Sequence, residues 1–194
     1  MSGVFVAGLV LAAGGSQRLG QPKQLLPYQG TTLLDAVLRT ARGCGFDQLL
    51  VTLGGAAERV REQVDLSGTT VVLNPSFGTG CSSSIVSALG AVDERAAGVV
   101  LMLGDQPGVD VETARSVVRG DAPIAVCRYR DGIGHPFWFA RSTFTELAKL
   151  HGDKGVWKLI ESGQYAVEEV PVDAEVPADV DTWADYQSLL ETGR

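Results

Sequence analysis

The sequence predicts an α/β fold, in which a mainly parallel sheet is covered by helices on both faces. Short β-branched and aliphatic runs recur along the 194 residues, and segments whose apolar residues have helical spacing separate them. The composition agrees, because 45% hydrophobic and 20% charged residues are typical of a soluble globular protein that buries one substantial core. We therefore expect one domain over residues 1–194.

Seven segments are predicted as strands, because each is a short apolar run bounded by turn-forming residues. They are Val4–Leu11, Gln48–Leu53, Thr70–Leu73, Gly98–Leu103, Pro123–Arg128, Gly134–Ala140 and Ala166–Val170. In open α/β sheets, ligands bind beyond the carboxyl ends of the strands. The residues that follow each strand are therefore the first candidates for a functional site.

The clearest helix lies between the first two strands, where apolar residues repeat at helical spacing until Gly43-Cys44-Gly45 ends the pattern. Its apolar positions are Leu33, Leu34, Val37, Leu38 and Ala41. Weaker patterns predict six further helices. They cover Ala56–Val64, Ser82–Val92, Val111–Val118, Ser142–Leu150, Val156–Glu161 and Thr182–Leu190.

Charge and cysteine usage exclude several classes of protein. The formal net charge of −7, without a basic run, argues against a nucleic-acid partner. Cys44, Cys81 and Cys127 lack C-x-x-C spacing, and an odd number argues against a disulfide framework or a structural zinc site. The apolar stretch from Val4 to Ala13 is too short to span a bilayer, and no basic leader precedes it. We expect a protein of the reducing cytoplasm with no membrane partner.

The loop after the first strand has the composition of a phosphate-binding segment. Leu9 to Pro27 reads LVLAAGGSQRLGQPKQLLP, with small residues at positions 12 to 16. Small residues let backbone N–H groups approach an anion, and Arg18 and Lys23 supply positive charge beside them. The alternative is a glycine-rich turn with two solvated cations.

Two familiar phosphate-binding motifs do not fit this loop. The P-loop pattern requires Lys and Ser or Thr after its last glycine, whereas Gln21 and Pro22 follow Gly20. The dinucleotide fingerprint requires a glycine where Ser16 stands, and an acidic residue after the second strand. Neither motif therefore accounts for the loop, and both interpretations of it stay open on the residues alone.

LAAGGSQRLGQPK resembles the signature L-A-A-G-x-x-x-R-x-G-x-x-K of nucleotidyltransferases with the nucleotide-diphospho-sugar transferase (Rossmann-like) fold. Within them it is most similar to the molybdenum cofactor cytidylyltransferase group of MobA-like NTP transferases. The similarity extends over nearly the whole chain. It includes NPSFGTGCSSSI (Asn74–Ile85), MLGDQP (Met102–Pro107), GHPFWF (Gly134–Phe139), HGDKG (His151–Gly155) and DVDT (Asp179–Thr182). The resemblance implies a single three-layer α/β/α domain with a mixed, mainly parallel sheet.

The resemblance also implies roles for individual residues. Arg18, Lys23 and Asp105 would be catalytic, Asp105 and Asp181 would hold Mg²⁺, and His135 and Asp153 would face the acceptor. Asp179 is the alternative to Asp181 as the second Mg²⁺ ligand. The nucleotide would be bound by Leu11, Ala12, Ala13, Gly14, Gly15, Arg18, Lys23, Gly80, Ser82 and Ser84.

Residue chemistry alone leaves other readings open. Asp105 can project into the crevice beside the first loop, but an aspartate in a Gly-Asp-x-Pro turn also caps its own backbone. Asp181 stands where a helix N-cap is expected, and the serines at 82 and 84 can cap the helix that they begin. His135 lies in an apolar strand, where a buried imidazole is the commoner outcome.

The reaction implied by the resemblance is transfer of CMP from CTP to the phosphate of a molybdopterin-type acceptor, with release of pyrophosphate. The product would then serve a molybdenum hydroxylase apoenzyme. Two alternatives remain: a guanylyltransferase of the same fold acting on molybdopterin or a deazaflavin precursor, and a non-catalytic nucleotide-binding accessory protein. HGDKG continues with Val156-Trp157 where the family pattern usually has Gly-Ala-Arg, which leaves the acceptor open.

Overall fold

A computed structural model describes residues 3–192 and has a seven-stranded sheet at its centre. The strands are β1 (Val6–Ala12), β2 (Pro27–Tyr28), β3 (Thr31–Thr32), β4 (Gln48–Leu53), β5 (Thr70–Leu73), β6 (Gly98–Leu103), β7 (Ile124–Arg128), β8 (Ile133–Ala140) and β9 (Val167–Pro171). The order across the sheet is β5-β4-β1-β6-β8-β7-β9, while β2 and β3 form a separate ribbon. Neighbours from β5 to β6 are parallel, β8 is antiparallel to both β6 and β7, and β9 is parallel to β7. The predicted mixed, mainly parallel sheet is confirmed.

Helices cover both faces of this sheet. They are α1 (Leu33–Gly43), α2 (Ala57–Gln63), α3 (Cys81–Leu89), α4 (Val111–Ser116), α5 (Phe144–Leu147), α6 (Gly155–Glu161) and α7 (Trp183–Thr192). One core contains buried residues of α1, α2 and α4, such as Val37 and Val60, and the opposite core contains residues of α3, α5 and α6, such as Ile85 and Leu159. Successive residues of β1 alternate between the two cores, which gives the three-layer α/β/α arrangement.

Local sequence explains where α1 begins. The Asp35 N–H donates to Thr32 Oγ1 at 3.1 Å, and the Asp35 carboxylate accepts from the Thr32 N–H, which is a complete capping box. The apolar face of the helix then packs on the sheet beside β1. This packing fixes the position at which the chain re-enters the sheet after the first loop.

Several predicted boundaries are wrong by a few residues. The helix predicted over Ser142–Leu150 is a 3-10 turn (Arg141–Thr143) followed by the four-residue α5, and α3 ends at Leu89 rather than Val92. β1 begins at Val6, because Val6 is the first residue that pairs with β6. The sequence does not predict the two-residue strands β2 and β3, since such short pairs have no periodicity.

A third apolar cluster attaches α7 to the first loop. It joins Leu19 and Leu26 of that loop to Val180, Tyr186 and Leu189 near and within α7. The Val180 N–H also donates to the backbone oxygen of Asp105 at 3.3 Å. Residues 179–181 are thereby placed beside both the first loop and the end of β6. Over residues 3–192, none of the helices combines the length and the apolar character that crossing a bilayer would need.

Candidate active site

A cleft of about 610 Å³ opens at the carboxyl ends of β1 and β6. Most of the residues predicted for the site line this cleft, and Ser82 and His135 lie outside it. The predicted residues in the cleft are Leu11, Ala12, Ala13, Gly14, Gly15, Arg18, Lys23, Gly80, Ser84, Asp105, Asp153 and Asp181. The fold therefore brings segments from the whole length of the chain to one place.

The first loop presents unused hydrogen-bond donors to the cleft. Within residues 3–192, the backbone N–H groups of Gly14, Gly15 and Ser16 donate to no protein acceptor. Ser16 adopts a left-handed conformation with φ of 50°, and its Oγ accepts from the Lys23 N–H at 2.9 Å. Consecutive free N–H groups beside a left-handed residue form an anion-binding concavity. The loop can therefore hold phosphate oxygens through its backbone.

Gln24 fixes the shape of this loop, although no sequence motif indicates this role. Its side chain is 3% exposed, and Nε2 donates to the oxygens of Ala12 at 2.6 Å and Gly14 at 3.1 Å. With these two carbonyls held by Gln24, the following N–H groups remain available to the cleft. A glutamine between Lys23 and Leu25 belongs to no recognisable spacing, so only the three-dimensional contacts identify it.

Two cations and two carboxylates meet at the charged end of the cleft. The Lys23 ammonium donates to the carboxylates of both Asp105 and Asp181, the latter at 2.8 Å. The guanidinium of Arg18 donates to the other oxygen of Asp181 at 2.7 Å. The side chains of Lys23 and Asp105 are 14% and 15% exposed, so this ion pair is largely shielded from water.

The electrostatics of the cluster follow from these contacts. Burial by itself lowers the pKa of Lys23, but the charge and hydrogen bond of Asp105, joined by those of Asp181, raise it above its usual value. The hydrogen bond from Lys23 lowers the pKa of the Asp181 carboxyl, despite its partial burial, and Arg18 contributes to this shift. Lys23 and Asp181 are therefore charged near neutral pH.

Asp179 has a different environment from Asp181. Burial, together with the negative charge of Asp105, raises the pKa of Asp179 to about 6. The Gln106 amide nitrogen donates to the Asp179 carboxylate and to the Pro177 oxygen, the latter at 2.9 Å. Through Gln106, Asp179 connects residues 177–181 to the end of β6. Asp181, in contrast, shares the Lys23 ammonium with Asp105.

The carboxylate pair suits a hard divalent cation such as Mg²⁺. In this structure the Lys23 ammonium stands in for a cation between Asp105 and Asp181. Mg²⁺ typically takes one or two protein carboxylates and completes its shell with waters and substrate phosphates. Across residues 3–192 there is no cluster of three or more His, Cys, Asp or Glu that could hold a metal ion. The residues present fit an ion that is shared with a polyphosphate.

The start of α3 forms the wall opposite the first loop. The Asn74 amide nitrogen donates to the hydroxyls of Ser83 at 2.8 Å and Ser84 at 3.0 Å, and Ser84 lines the cleft. The Ser82 hydroxyl instead donates to the Gly152 oxygen at 2.6 Å and is fully buried. The turn of the helix directs Ser82 toward the 151–154 loop, so its side chain ties that loop to α3.

His135 and Cys81 have environments unsuited to acid–base or nucleophilic chemistry. His135 stacks on Phe137 with ring centroids 4.0 Å apart, and burial lowers its pKa to about 3. Burial, with the negative charges of Asp105 and Asp153, raises the pKa of Cys81 to about 11. At neutral pH, one is an uncharged imidazole and the other an uncharged thiol.

Known proteins match both the sequence and the structure. The MobA-like NTP transferase domain matches residues 8–170. Nicotine blue oxidoreductase of Paenarthrobacter nicotinovorans is 28% identical over 197 residues, covering 95% of this chain and 96% of that protein. Molybdenum cofactor cytidylyltransferase of Escherichia coli is 26% identical over 186 residues, covering 94% of each.

Solved structures agree with these sequence matches. The structure of Rv0371c from Mycobacterium tuberculosis in complex with manganese has 54% identity and a TM-score of 0.89, covering 97% of this chain and all of that one. The strand order and the helix layers are those of the Rossmann-like nucleotide-diphospho-sugar transferase fold, which solved nucleotidyltransferases of low sequence identity share.

Proposed function

We propose a specific reaction for this chain, which belongs to the MobA-like NTP transferase family and is a nucleotidyltransferase. The reaction is Mg²⁺-dependent transfer of CMP from CTP to the phosphate of a molybdopterin-type cofactor. The observation that carries the proposal is the cleft itself, where free N–H groups of the first loop lie beside Lys23, Arg18, Asp105 and Asp181. Such a set binds a polyphosphate together with a divalent ion.

The chemistry needs positioning and charge neutralisation more than proton transfer. An oxygen of the acceptor phosphate attacks the α-phosphorus of CTP in line, and the bond from that phosphorus to the bridging oxygen of pyrophosphate breaks. A phosphate monoester is mostly ionised at neutral pH, so no general base is required. The backbone of Gly14 to Ser16 orients the phosphates, and Arg18 and Lys23 neutralise charge that grows on the leaving group.

Asp105 and Asp181 are the residues that would hold Mg²⁺. When bound, Mg²⁺ would neutralise the phosphates and stabilise the departing pyrophosphate. The match to a protein solved with manganese supports the choice of a hard divalent cation. Lys23, which contacts both carboxylates, is able to turn toward a phosphate once another cation compensates them.

The choice of CTP and of a molybdopterin-type acceptor is supported by the similarity to the cytidylyltransferase of Escherichia coli over 94% of the chain. The small residues Ala12, Ala13 and Gly14 beside the segment Gly78–Ser84 are consistent with a compact base pocket. Asp153 lies at the cleft and is the proposed contact to the acceptor. We propose a molybdenum hydroxylase apoenzyme as recipient of the product.

Pyrophosphate release tests the proposal. The purified protein is incubated with Mg²⁺, a molybdopterin-type acceptor and either CTP, GTP, ATP or UTP, and pyrophosphate is measured. The expected result is release with CTP that depends on both acceptor and Mg²⁺. If GTP is the one nucleotide of the four that supports release, the transferred group is GMP rather than CMP. Nucleotide binding without release in any mixture would favour the accessory-protein alternative.

A further inference from the structure

Phe77 is a large apolar side chain that lines the cleft and remains 36% exposed. It is the only aromatic side chain lining the cleft over the part of the chain that the structure describes, residues 3–192. It belongs to the segment between β5 and α3. The proposed transfer reaction assigns this ring no role.

Two glycines form a seat for one side of the ring. A Cβ placed on Gly54 would lie 2.8 Å from Phe77 Cγ and 2.4 Å from the Ala13 oxygen, and one on Gly55 would lie 2.7 Å from Phe77 Cζ. Neither glycine has a positive φ, so backbone conformation does not demand glycine there. At Gly55 a side chain would meet the ring alone, whereas at Gly54 it would meet both the ring and the Ala13 backbone oxygen. The absence of a side chain at Gly55 is therefore explained by the seating of Phe77.

The ring lies next to the phosphate-binding loop and outside the charged cluster. A Cβ on Gly15 would be 3.7 Å from Phe77 Cε2, an ordinary van der Waals contact. The charged cluster consists of Arg18, Lys23, Asp105 and Asp181, which hydrogen-bond to one another. When a triphosphate binds to these charges, the base of the same nucleotide lies in the uncharged part of the cleft. Phe77 is the side chain of that part able to stack on a flat ring.

We propose that Phe77, seated on Gly54 and Gly55, is the platform on which the nucleotide base stacks. It is a specificity-determining residue, because it separates ligands that carry a base from bare polyphosphates. The inference rests on the proposed function, since it requires a nucleotide in the cleft. The ring is packed against Gly54 and Gly55, and its exposed part gains a partner when a base is bound.

Isothermal titration calorimetry with two probes tests the platform, namely CTP with Mg²⁺ and inorganic tripolyphosphate with Mg²⁺. Phe77→Ala is expected to weaken CTP binding about 5- to 150-fold, the range measured for loss of base–aromatic stacking, and to leave tripolyphosphate binding unchanged. Phe77→Tyr keeps the ring and should retain CTP binding. Val86→Ala is the matched control, because Val86 is 38% exposed on α3 and lies outside the cleft.

The glycine seat is tested by a double-mutant cycle. Gly55→Ala should displace the ring and weaken CTP binding in the wild-type background, but it should add little in the Phe77→Ala background, where no ring remains. Thermal unfolding of each variant separates these effects from misfolding. Equal loss of both probes in Phe77→Ala, or no loss of either, overturns the platform while leaving the proposed function intact. Failure of the wild type to bind either probe overturns the proposed function and the platform with it.

Discussion

Replacing Lys23 with methionine should change metal binding and nucleotide binding in opposite directions. In the absence of ligand, the Lys23 ammonium contacts both Asp105 and Asp181, so a divalent ion has to displace it. Lys23→Met removes the ammonium but keeps a side chain of similar length in a space where Lys23 is 14% exposed. The two carboxylates are then left to repel each other and attract a cation.

The expected magnitudes follow from the two hydrogen bonds that are lost. A hydrogen bond between charged groups contributes about 1.5–3 kcal/mol net, and the displaced ammonium regains part of this from water. We therefore expect Mn²⁺ to bind the nucleotide-free variant at least about tenfold more tightly, equivalent to about 1.4 kcal/mol. CTP should bind about 10- to 150-fold more weakly, because one cation of the phosphate site is absent.

Electron paramagnetic resonance of free Mn²⁺ measures the first quantity, and calorimetry with CTP measures the second. Lys158→Met is the control, because it makes the same charge change on the exposed side of α6. Melting temperatures should also respond, with Mn²⁺ raising that of Lys23→Met more than that of the wild type. Mn²⁺ affinity that is unchanged or weaker in Lys23→Met would refute the idea that the ammonium occupies the cation position.

Three further predictions concern the remaining site residues and His135. Asp105→Asn should lower the rate of pyrophosphate release at least about a hundredfold across a magnesium titration, with metal-free CTP binding retained, because one charge that stabilises the transition state is lost. Gln24→Glu should weaken tripolyphosphate binding at least about tenfold by calorimetry, since it removes the donors to Ala12 and Gly14 and adds negative charge beside the loop. The folded-state pKa of His135, about 3, is below the unfolded value, so its contribution to stability is present above about pH 6.5 and is lost as the pH falls. In His135→Gln the free energy of unfolding should therefore fall less steeply as the pH is lowered below about 6.5. The slope should differ from that of the wild type by up to about 1.4 kcal/mol per pH unit, as measured by urea titration.

Each of these predictions has an outcome that contradicts it. Near-wild-type turnover in both Asp105→Asn and Asp181→Asn would eliminate the two-carboxylate site, and loss in Asp105→Asn alone would move the second ligand to Asp179 or elsewhere. Tripolyphosphate binding that survives Gln24→Glu would show that the loop keeps its shape without the amide. Parallel pH curves for wild type and His135→Gln would mean that the imidazole is not held neutral by burial.

The centre of the sheet could be predicted from the sequence because β1, β4 and β6 are buried on both faces. β1 is a continuous apolar run, and Leu9 and Val10 face opposite cores, so hydrophobicity alone located the strand. The chemistry-bearing residues after β1 and β6 could be found in the same way, since the ends of adjacent parallel strands meet.

Other features depend on contacts that no local pattern records. Ser82 and Ser84 differ only by the rotation of one helix, which directs Ser82 to Gly152 and Ser84 to the cleft. Gln24 reaches back over ten or more residues to the loop that it shapes. Such contacts arise when elements distant in sequence are packed together, so spacing rules cannot anticipate them.

The attachment of α7 makes the cleft an assembly of segments that are far apart along the chain. Arg18 and Asp181 are separated by 163 positions, and the apolar cluster around Tyr186 and Leu189 is what holds them together. A partial opening that detaches α7 would leave the sheet folded while removing Asp181 from Lys23. The fraction of molecules with an intact cleft is then set by the free energy of this local opening. The free energy of global unfolding does not determine it. Hydrogen exchange in α7 would follow activity more closely than exchange in β1.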